Sequence, residues 1–165
     1  STIKKIFNDK KYPILIDQEG GRVNRLRNII SFDNLTSKFF GEKYLKNNKE
    51  FIFFYKLFID KTSYLLKSIG ANINTSPVLD LNIKGSSNII GDRAFSDKVN
   101  IASKIGDFCI KHFHKNGIGT VIKHIPGHGS AKVDSHHCTP FVNMKEKSLL
   151  KKISLFLKIK NLYLL

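Results

Sequence analysis

The chain has 165 residues and a formal net charge of +15, from 28 basic and 13 acidic side chains. This length suits one domain with its own hydrophobic core, and two cysteines are too few for a disulfide framework. No run of apolar residues reaches the roughly 20 that a transmembrane helix needs, so we expect no membrane partner. One of the cysteines, Cys109, lies in an apolar helical pattern and is expected to be buried.

The positive charge does not by itself indicate a nucleic-acid partner. Lysine outnumbers arginine 24 to 4, and the chain is also rich in isoleucine, asparagine and phenylalanine, a preference typical of A/T-rich codons. The lysines are scattered and form no basic helix or stripe, so we expect no nucleic-acid partner. The arginines are more informative, because each lies in or beside a glycine-containing loop and offers a planar fork of donors that lysine lacks. They are Arg22, Arg25, Arg27 and Arg93.

The first part of the chain predicts a strand between two helices. Residues 2–11 read as the end of a lysine-rich helix, and residues 12–17 form an apolar run of strand length. Residues 33–45 contain a short helix, for which Asp33 or Asn34 is the candidate N-cap.

The second part of the chain repeats this alternation. Residues 50–69 predict the longest helix, because apolar side chains recur there at helical spacing and Gly70 suits its C-terminal cap. A strand at 71–81, an amphipathic helix at 97–115 and a strand at 120–124 follow. This order, with a polar loop after each strand, favours parallel βα units in either a doubly wound sheet or a (β/α)8 barrel.

Two polar loops after predicted strands hold most of the residues capable of chemistry. The first, residues 16–22, reads IDQEGGR. The second lies within residues 121–136 and carries five ionisable side chains among glycines and a proline: Lys123, His124, His128, Asp134 and His136. Loops at the carboxyl ends of buried strands are where α/β enzymes place their active sites, so we predict an enzyme that acts on a polar substrate.

A metal site is the first alternative for the second loop. Its possible zinc ligands are His124, His128, Asp134, His136, His137 and Cys138. However, Pro126 and Gly127 break any helix that would place the first two histidines on one face, and no HExxH or paired CxxC motif occurs. We therefore expect no metal. The spacing around the glycines, Ser130 and Ser135 also matches neither a phosphate-binding loop nor a nucleophile elbow.

An acid–base site fits the second loop better. Asp134 lies two residues before His136, and a carboxylate beside an imidazole fixes its tautomer and stabilises its cation. Such a histidine can donate and then remove a proton near neutral pH. Four further residues offer convergent hydrogen bonds to a polyhydroxylated ligand: Asp17, Arg93, Lys123 and His124.

Five motifs occur together, in one order and at one spacing. They are Asp17-Gln18-Glu19-Gly20-Gly21-Arg22-Val23, Pro77-Val78-Leu79-Asp80, Gly91-Asp92-Arg93-Ala94-Phe95, Lys123-His124-Ile125-Pro126-Gly127-His128-Gly129 and Asp134-Ser135-His136. From about Tyr12 to Val142, the chain closely resembles the bacterial β-N-acetylhexosaminidase branch of glycoside hydrolase family 3. The combination of the last two motifs is the most specific part of the resemblance.

The resemblance implies an α/β fold, the TIM (β/α)8 barrel, with its site at the carboxyl ends of the strands. It implies removal of terminal β-linked N-acetylglucosamine from a small carbohydrate, a muropeptide or an oligosaccharide, during peptidoglycan recycling in the cytoplasm. The family needs no metal or organic cofactor, and it retains anomeric configuration through a covalent glycosyl-enzyme.

The resemblance also assigns roles to single residues. His136 corresponds to the family's unusual histidine acid/base, and Asp134 to its partner. The positions that correspond to sugar-binding residues are Asp17, Arg25, Arg93, Lys123 and His124.

Two departures from the family pattern shape the expected architecture. Ala94 stands where serine is usual, and the family's nucleophile, an aspartate on a later strand, has no counterpart in these 165 residues. We therefore expect residues 1–144 to form an incomplete barrel of middle strands, inactive alone. Residues 145–165 form an atypical tail in which 148–157 predict an amphipathic helix, and a frame error near Lys152 in a gene fragment would explain that tail.

Two other functions stay open at this point. One is a β-glucosidase-like specificity within the same family, against which the DSH motif argues. The other is a non-catalytic remnant that only binds carbohydrate.

Overall fold

The computed structural model describes residues 2–84, 88–131, 139, 141–142 and 144–159. Within these ranges the chain forms five α-helices, three short strands and one turn of 3-10 helix at Gly91–Arg93. In chain order the helices and strands are α1 (Thr2–Ile6), β1 (Leu15–Ile16), α2 (Ser37–Lys46), α3 (Asn48–Ser68), β2 (Ile73–Asn74), α4 (Val99–Lys115), β3 (Gly119–Thr120) and α5 (Glu146–Leu157).

The three strands form one parallel sheet in the order β1-β2-β3. Leu15 lies opposite Ile73, which in turn lies opposite Gly119. Parallel neighbours need a crossover connection, and α3 and α4 supply the two crossovers. The carboxyl ends of all three strands therefore meet at one edge of the sheet. This arrangement confirms the parallel α/β class, whereas the incomplete (β/α)8 barrel of middle strands stays a prediction.

The regular strands are shorter than predicted, most clearly in the second one. Of residues 71–81, only β2 belongs to the ladder, and Val78 pairs with Lys123 in an isolated parallel bridge. Pro77 lies between these two points and has no N–H to donate, so the ladder is interrupted there. Its carbonyl still accepts a hydrogen bond from the N–H of Lys123 at 3.3 Å. This pairing carries Lys123 to the same edge as the strand ends.

The cap of α2 is Thr36, not the predicted Asp33 or Asn34. The Thr36 hydroxyl accepts a hydrogen bond from the N–H of Phe39 at 3.0 Å. The Asp33 carboxylate accepts one from the Ser31 hydroxyl instead. Several cap-forming side chains occur within four residues here, and the turn that precedes the helix decides which one is used.

The other helix boundaries lie close to the predicted ones, except for the end of the first helix. Gly70 has φ +89 after α3, as a C-terminal glycine should. However, α1 ends at Ile6, well short of residue 11. Ile69, predicted for the packed face, is 42 % exposed because it follows the last residue of α3.

The main core lies between α2, α3 and α4 and is largely aromatic. The predicted packing faces are buried, with Phe51, Tyr55 and Phe58 on α3 and Cys109 and Phe113 on α4. Burial raises the pKa of the Cys109 thiol to about 12. Its thiolate is therefore scarce at neutral pH, and Cys109 behaves as a small core residue, as the sequence predicts.

A second, smaller core joins α5 to α4. Leu155, Phe156 and Ile159 pack against side chains from the region after β2 and from α4, namely Leu79, Leu81, Ala102 and Ile110. The amphipathic helix predicted for 148–157 is thus present and begins two residues earlier. Among the described helices, none combines the length and apolarity that a bilayer crossing requires.

Candidate active site

One polar side chain from the segment after each strand meets at the carboxyl edge of the sheet. The Lys123 ammonium lies 2.8 Å from Oδ1 of Asp17 and 3.3 Å from Oγ1 of Thr75. The Thr75 hydroxyl also donates to the same Asp17 oxygen. Parallel strands bring their carboxyl ends together, which is why residues 106 positions apart form this contact.

Glu19 joins this group to the segment that precedes α4. One of its oxygens lies 2.5 Å from the Lys123 ammonium. Both of its oxygens accept from the Arg93 guanidinium, at 2.8 and 3.0 Å. The Glu19 side chain is only 3 % exposed, so its charge is compensated almost wholly by these two cations. Such a bidentate pair fixes the plane of the guanidinium as well as its position.

Asp80 is the second buried carboxylate, and its side chain is fully inaccessible to solvent. Its Oδ2 lies 2.6 Å from Nδ1 of His124 and accepts from the His124 backbone N–H at 3.1 Å. Its Oδ1 accepts from the backbone N–H groups of His128 and Gly129. Burial alone raises the pKa of this carboxyl, but the hydrogen bonds from His124 and His128 outweigh it and hold the pKa below its usual value. Asp80 is therefore an anion at neutral pH.

A contact between Arg93 and His124 connects the two halves. Nη2 of Arg93 lies 3.5 Å from Nε2 of His124. The result is one continuous chain of side chains, which we call the edge network: Asp80, His124, Arg93, Glu19, Lys123 and Asp17. Within it Glu19 lies between two cations, Arg93 and Lys123, and the carboxylates of Asp80 and Asp17 stand at its two ends, an arrangement that compensates buried charges.

The solvent-facing end of the edge network is Asp17. Its side chain is 46 % exposed, against 14 % for its partner Lys123. Partial burial raises the pKa of Asp17, but hydrogen bonds from Lys123 and Thr75 and the charge of Arg25 bring it below the ordinary value of 3.8. Asp17 thus offers an ionised, accessible acceptor at neutral pH.

A buried amide pair positions the loop that carries Asp17 and Glu19. The backbone N–H of Gln18 donates to the Asn74 side chain at 3.0 Å, and that side chain donates back to the Gln18 carbonyl at 2.9 Å. The Gln18 side chain accepts from the backbone N–H of Arg25 at 2.9 Å. The loop after β1 is therefore tied to β2 by side chains that ligands cannot reach.

Arg22 holds the segment that precedes Arg93. Its guanidinium donates to three consecutive backbone carbonyls, those of residues 88–90, at 2.8 to 3.0 Å. It also pairs with Asp92 at 3.1 Å. Arg22 therefore links the glycine-containing loop after β1 to the segment before Arg93.

Four of the five predicted sugar-binding residues belong to the edge network: Asp17, Arg93, Lys123 and His124. The fifth, Arg25, is exposed beside it and acts on Asp17 through its charge. The two predicted catalytic residues, Asp134 and His136, lie outside the described residues.

The sequence interpretation missed Glu19 and Asp80 as site residues. Both stand in motifs that the sequence displays, one directly before Gly20-Gly21 and the other at the end of a predicted strand. For Asp80 the available signal was a carboxylate in an otherwise apolar strand end. What it did not reveal is that both carboxylates face donors of the protein rather than solvent, namely two cations for Glu19 and the ring and backbone N–H groups of the second loop for Asp80.

His128 differs from its neighbours. Both of its ring nitrogens are buried and have no hydrogen-bond partner in the described part of the chain. Its ring centroid lies 6.2 Å from that of His124.

Among the residues that the structure describes, no three His, Cys, Asp or Glu side chains are grouped closely enough to hold a metal ion.

The chain is similar in sequence to a known family and to several proteins of that kind. Residues 8–156 match the glycosyl hydrolase family 3 N-terminal domain. The chain is 34% identical over 130 residues to the beta-hexosaminidase A of Pseudoalteromonas piscicida, covering 79% of this chain and 21% of the relative. It is 36% identical over 141 residues to the beta-hexosaminidase of Haemophilus ducreyi, covering 84% of this chain and 40% of the relative.

Solved structures give the same picture. The chain superposes on NagZ from Neisseria gonorrhoeae in complex with N-trifluoroacetyl-D-glucosamine with a TM-score of 0.78 and 25% identity, over 88% of this chain and 43% of that one. It superposes on a family 3 beta-N-acetylglucosaminidase from Paenibacillus sp. with a TM-score of 0.80 and 27% identity, over 96% and 29%. The chain thus spans less than half the length of these proteins.

Proposed function

The chain belongs to glycosyl hydrolase family 3, and from this premise we propose that it supplies the sugar-binding side of a β-N-acetylhexosaminidase active site. The proposed substrate is a terminal, non-reducing β-linked N-acetylglucosamine residue. Support comes from the names of the curated relatives, which are beta-hexosaminidases, and from the N-acylated glucosamine bound to the gonococcal NagZ. Peptidoglycan fragments as the source of that sugar, and the cytoplasm as the location, rest on the sequence resemblance alone.

The edge network is the observation that carries this proposal. A sugar ring offers several hydroxyls, each able to donate one hydrogen bond and accept others. Asp17 presents an accessible carboxylate that can only accept, and Lys123 beside it can only donate. The accessible Asp17 carboxylate, held by Lys123, can accept from two neighbouring hydroxyls, while Arg93 and His124 lie farther along the same network, beyond Glu19.

The chemistry that we propose follows the family pattern. His136 protonates the glycosidic oxygen as the bond to the anomeric carbon breaks, and it later removes a proton from the attacking water. Asp134 orients the imidazole and stabilises its cation. The covalent intermediate of a retaining reaction needs a carboxylate nucleophile, which the resemblance assigns to a later strand than those of these 165 residues. We therefore expect these residues alone to bind the sugar without turning it over.

Calorimetry with the purified 165-residue chain tests the binding proposal. N-acetylglucosamine should bind more tightly than glucose, and Asp17→Asn should weaken that binding about tenfold or more, since a hydrogen bond to a charged group is lost. Asp33→Asn is the matched control, because Asp33 is an exposed aspartate that bonds to a nearby serine. Absence of binding, or equal losses in both variants, would contradict the proposal.

An aryl β-N-acetylglucosaminide tests the catalytic part. The 165-residue chain should release the aryl group no faster than buffer. Turnover by this chain that disappears in His136→Ala would show that the nucleophile assignment is wrong while the glycosidase proposal stands.

A further inference from the structure

We propose that Asp80 is a positioning residue that holds His124 as the Nδ1–H tautomer and thereby makes its Nε2 an acceptor on the Arg93 side of the sugar site. The proposal rests on the proposed function only in naming the ligand as a sugar. The state that it assigns to His124 follows from the contacts of the ring alone.

The first support is the division of work between the two oxygens of Asp80. Within the described part of the chain, Oδ2 accepts from His124 alone, through its ring Nδ1 at 2.6 Å and its backbone N–H at 3.1 Å. Oδ1 serves the backbone of His128 and Gly129. An ionised carboxylate accepts and never donates, so Nδ1 of His124 must carry the hydrogen.

The second support comes from the opposite side of the ring. Nε2 of His124 faces Nη2 of Arg93 at 3.5 Å. A guanidinium can only donate, so a hydrogen on Nε2 would place two donors against each other. Arg93 cannot turn away easily, because both Glu19 oxygens and the Ile89 carbonyl accept from it. The two neighbours of the imidazole therefore select the same tautomer independently.

The burial of Asp80 makes this selection strict. Its side chain has no solvent access, whereas that of His124 is 37 % exposed. The exposed imidazole could exchange its hydrogen with water in either position, but among the described residues the buried Oδ2 has no donor besides the ring and the backbone N–H of His124. Loss of the Nδ1 hydrogen would leave a buried anion short of a partner, which is costly. Asp80 thus acts on the site through His124, without itself reaching a ligand.

Nitrogen-15 NMR of the unsubstituted 165-residue chain is the decisive measurement. Long-range spectra distinguish the two ring nitrogens, and His124→Gln identifies the resonances by their loss. At a pH where the ring is neutral, His124 should show Nδ1 protonated and Nε2 unprotonated. A predominant Nε2–H form overturns the proposal whether or not the chain binds sugar.

A variant then tests the causal role of Asp80. Asp80→Asn replaces one acceptor oxygen by a donor amide, so the tautomer of His124 should shift toward Nε2–H and affinity for N-acetylglucosamine should fall about tenfold. Asp60→Asn is the matched control, since Asp60 also accepts a side-chain hydrogen bond, from Asn116, but lies outside the edge network. An unchanged tautomer in Asp80→Asn, or an equal loss of affinity in Asp60→Asn, overturns the proposal.

These readouts separate the two proposals. If the unsubstituted chain does not bind N-acetylglucosamine, the proposed function fails, and the tautomer of His124 still decides the role of Asp80. If Asp80→Asn does not fold, the spectrum of the unsubstituted chain gives that decision by itself.

Discussion

The aromatic core between α2, α3 and α4 is buried, the edge network at the carboxyl end of the sheet is partly exposed, and the two depend on different features of the sequence. In the core, Phe51 and Tyr55 lie on one helix, four residues apart, and their rings are 5.4 Å from each other. In the edge network, Glu19 meets a cation 74 residues away. The core is therefore built from local periodicity, whereas the network exists only after three βα units have come together. Mutations in the first region should mainly affect stability, and mutations in the second that leave the charge of Glu19 compensated should mainly affect binding.

The largest effect should come from the core. Phe51→Ala should lower the free energy of unfolding by about 3–5 kcal/mol, because it leaves a cavity in a well-packed aromatic cluster. Phe53→Ala is the control on the same helix, since Phe53 is 64% exposed, and it should change stability by no more than about 0.5 kcal/mol. Urea unfolding followed by circular dichroism measures both. Equal losses in the two variants would show that α3 does not bury this face.

Arg93→Lys should weaken sugar binding more than it lowers stability. A lysine cannot reproduce the bidentate pair with Glu19, so affinity for N-acetylglucosamine should fall about tenfold or more through loss of charge-assisted bonds. Arg27→Lys is the control, because Arg27 bonds only to backbone carbonyls of its own loop in the described structure. Calorimetry and thermal unfolding should be run side by side. If Arg93→Lys destabilises the fold as much as Phe51→Ala and leaves affinity unchanged, the edge network serves stability rather than binding.

A smaller effect should appear at the cap of α2. Thr36→Ala removes the acceptor for the Phe39 N–H and should cost about 1 kcal/mol of stability. Thr36→Ser keeps the hydroxyl and should recover most of this loss in urea unfolding. Sugar affinity should stay the same in both variants, as expected for a residue of the helical layer. If the serine variant is as unstable as the alanine variant, the methyl group and not the cap is what matters.

The smallest effect concerns pH. The pKa of Asp17 is lowered in the folded chain, so this carboxylate stays ionised well below neutrality, and its contribution is lost only as pH falls through a value beneath 3.8. The ratio of sugar affinities between the unsubstituted chain and Asp17→Asn should therefore be constant from pH 8 to pH 5. It should approach one only in stronger acid. A change of that ratio near pH 6 would mean that Asp17 is not held by Lys123 and Thr75 as described.

Much of the helical layer could be predicted because helix formation leaves a local signal. The apolar spacing in residues 50–69 and 97–115 places α3 and α4 within two residues of their observed bounds. The strands are less predictable, since a residue such as Pro77 interrupts hydrogen bonding within an apolar run. Length and pattern alone do not say how many residues of such a run join a ladder.

The sequence indicated which residues belong to the site but not which of them pair with one another. The motif residues Asp17, Arg93, Lys123 and His124 do meet at the strand ends, as the loop positions indicate. Glu19 and Asp80 were not recognised, because a carboxylate that faces a ligand and one that faces donors of the protein have the same local sequence pattern. Only the register of the three strands, which no single segment contains, determines which partner each carboxylate finds.

The pairing of Glu19 with two cations has a consequence for redesign of this pocket. Replacing Lys123 by a neutral residue in order to accept a different sugar would remove one of the two cations that compensate the charge of the inaccessible Glu19. A change intended for the ligand would therefore lower the stability of the fold. Libraries aimed at new specificity should therefore vary Glu19 and Lys123 jointly, or leave both untouched and diversify the solvent-facing Asp17 instead.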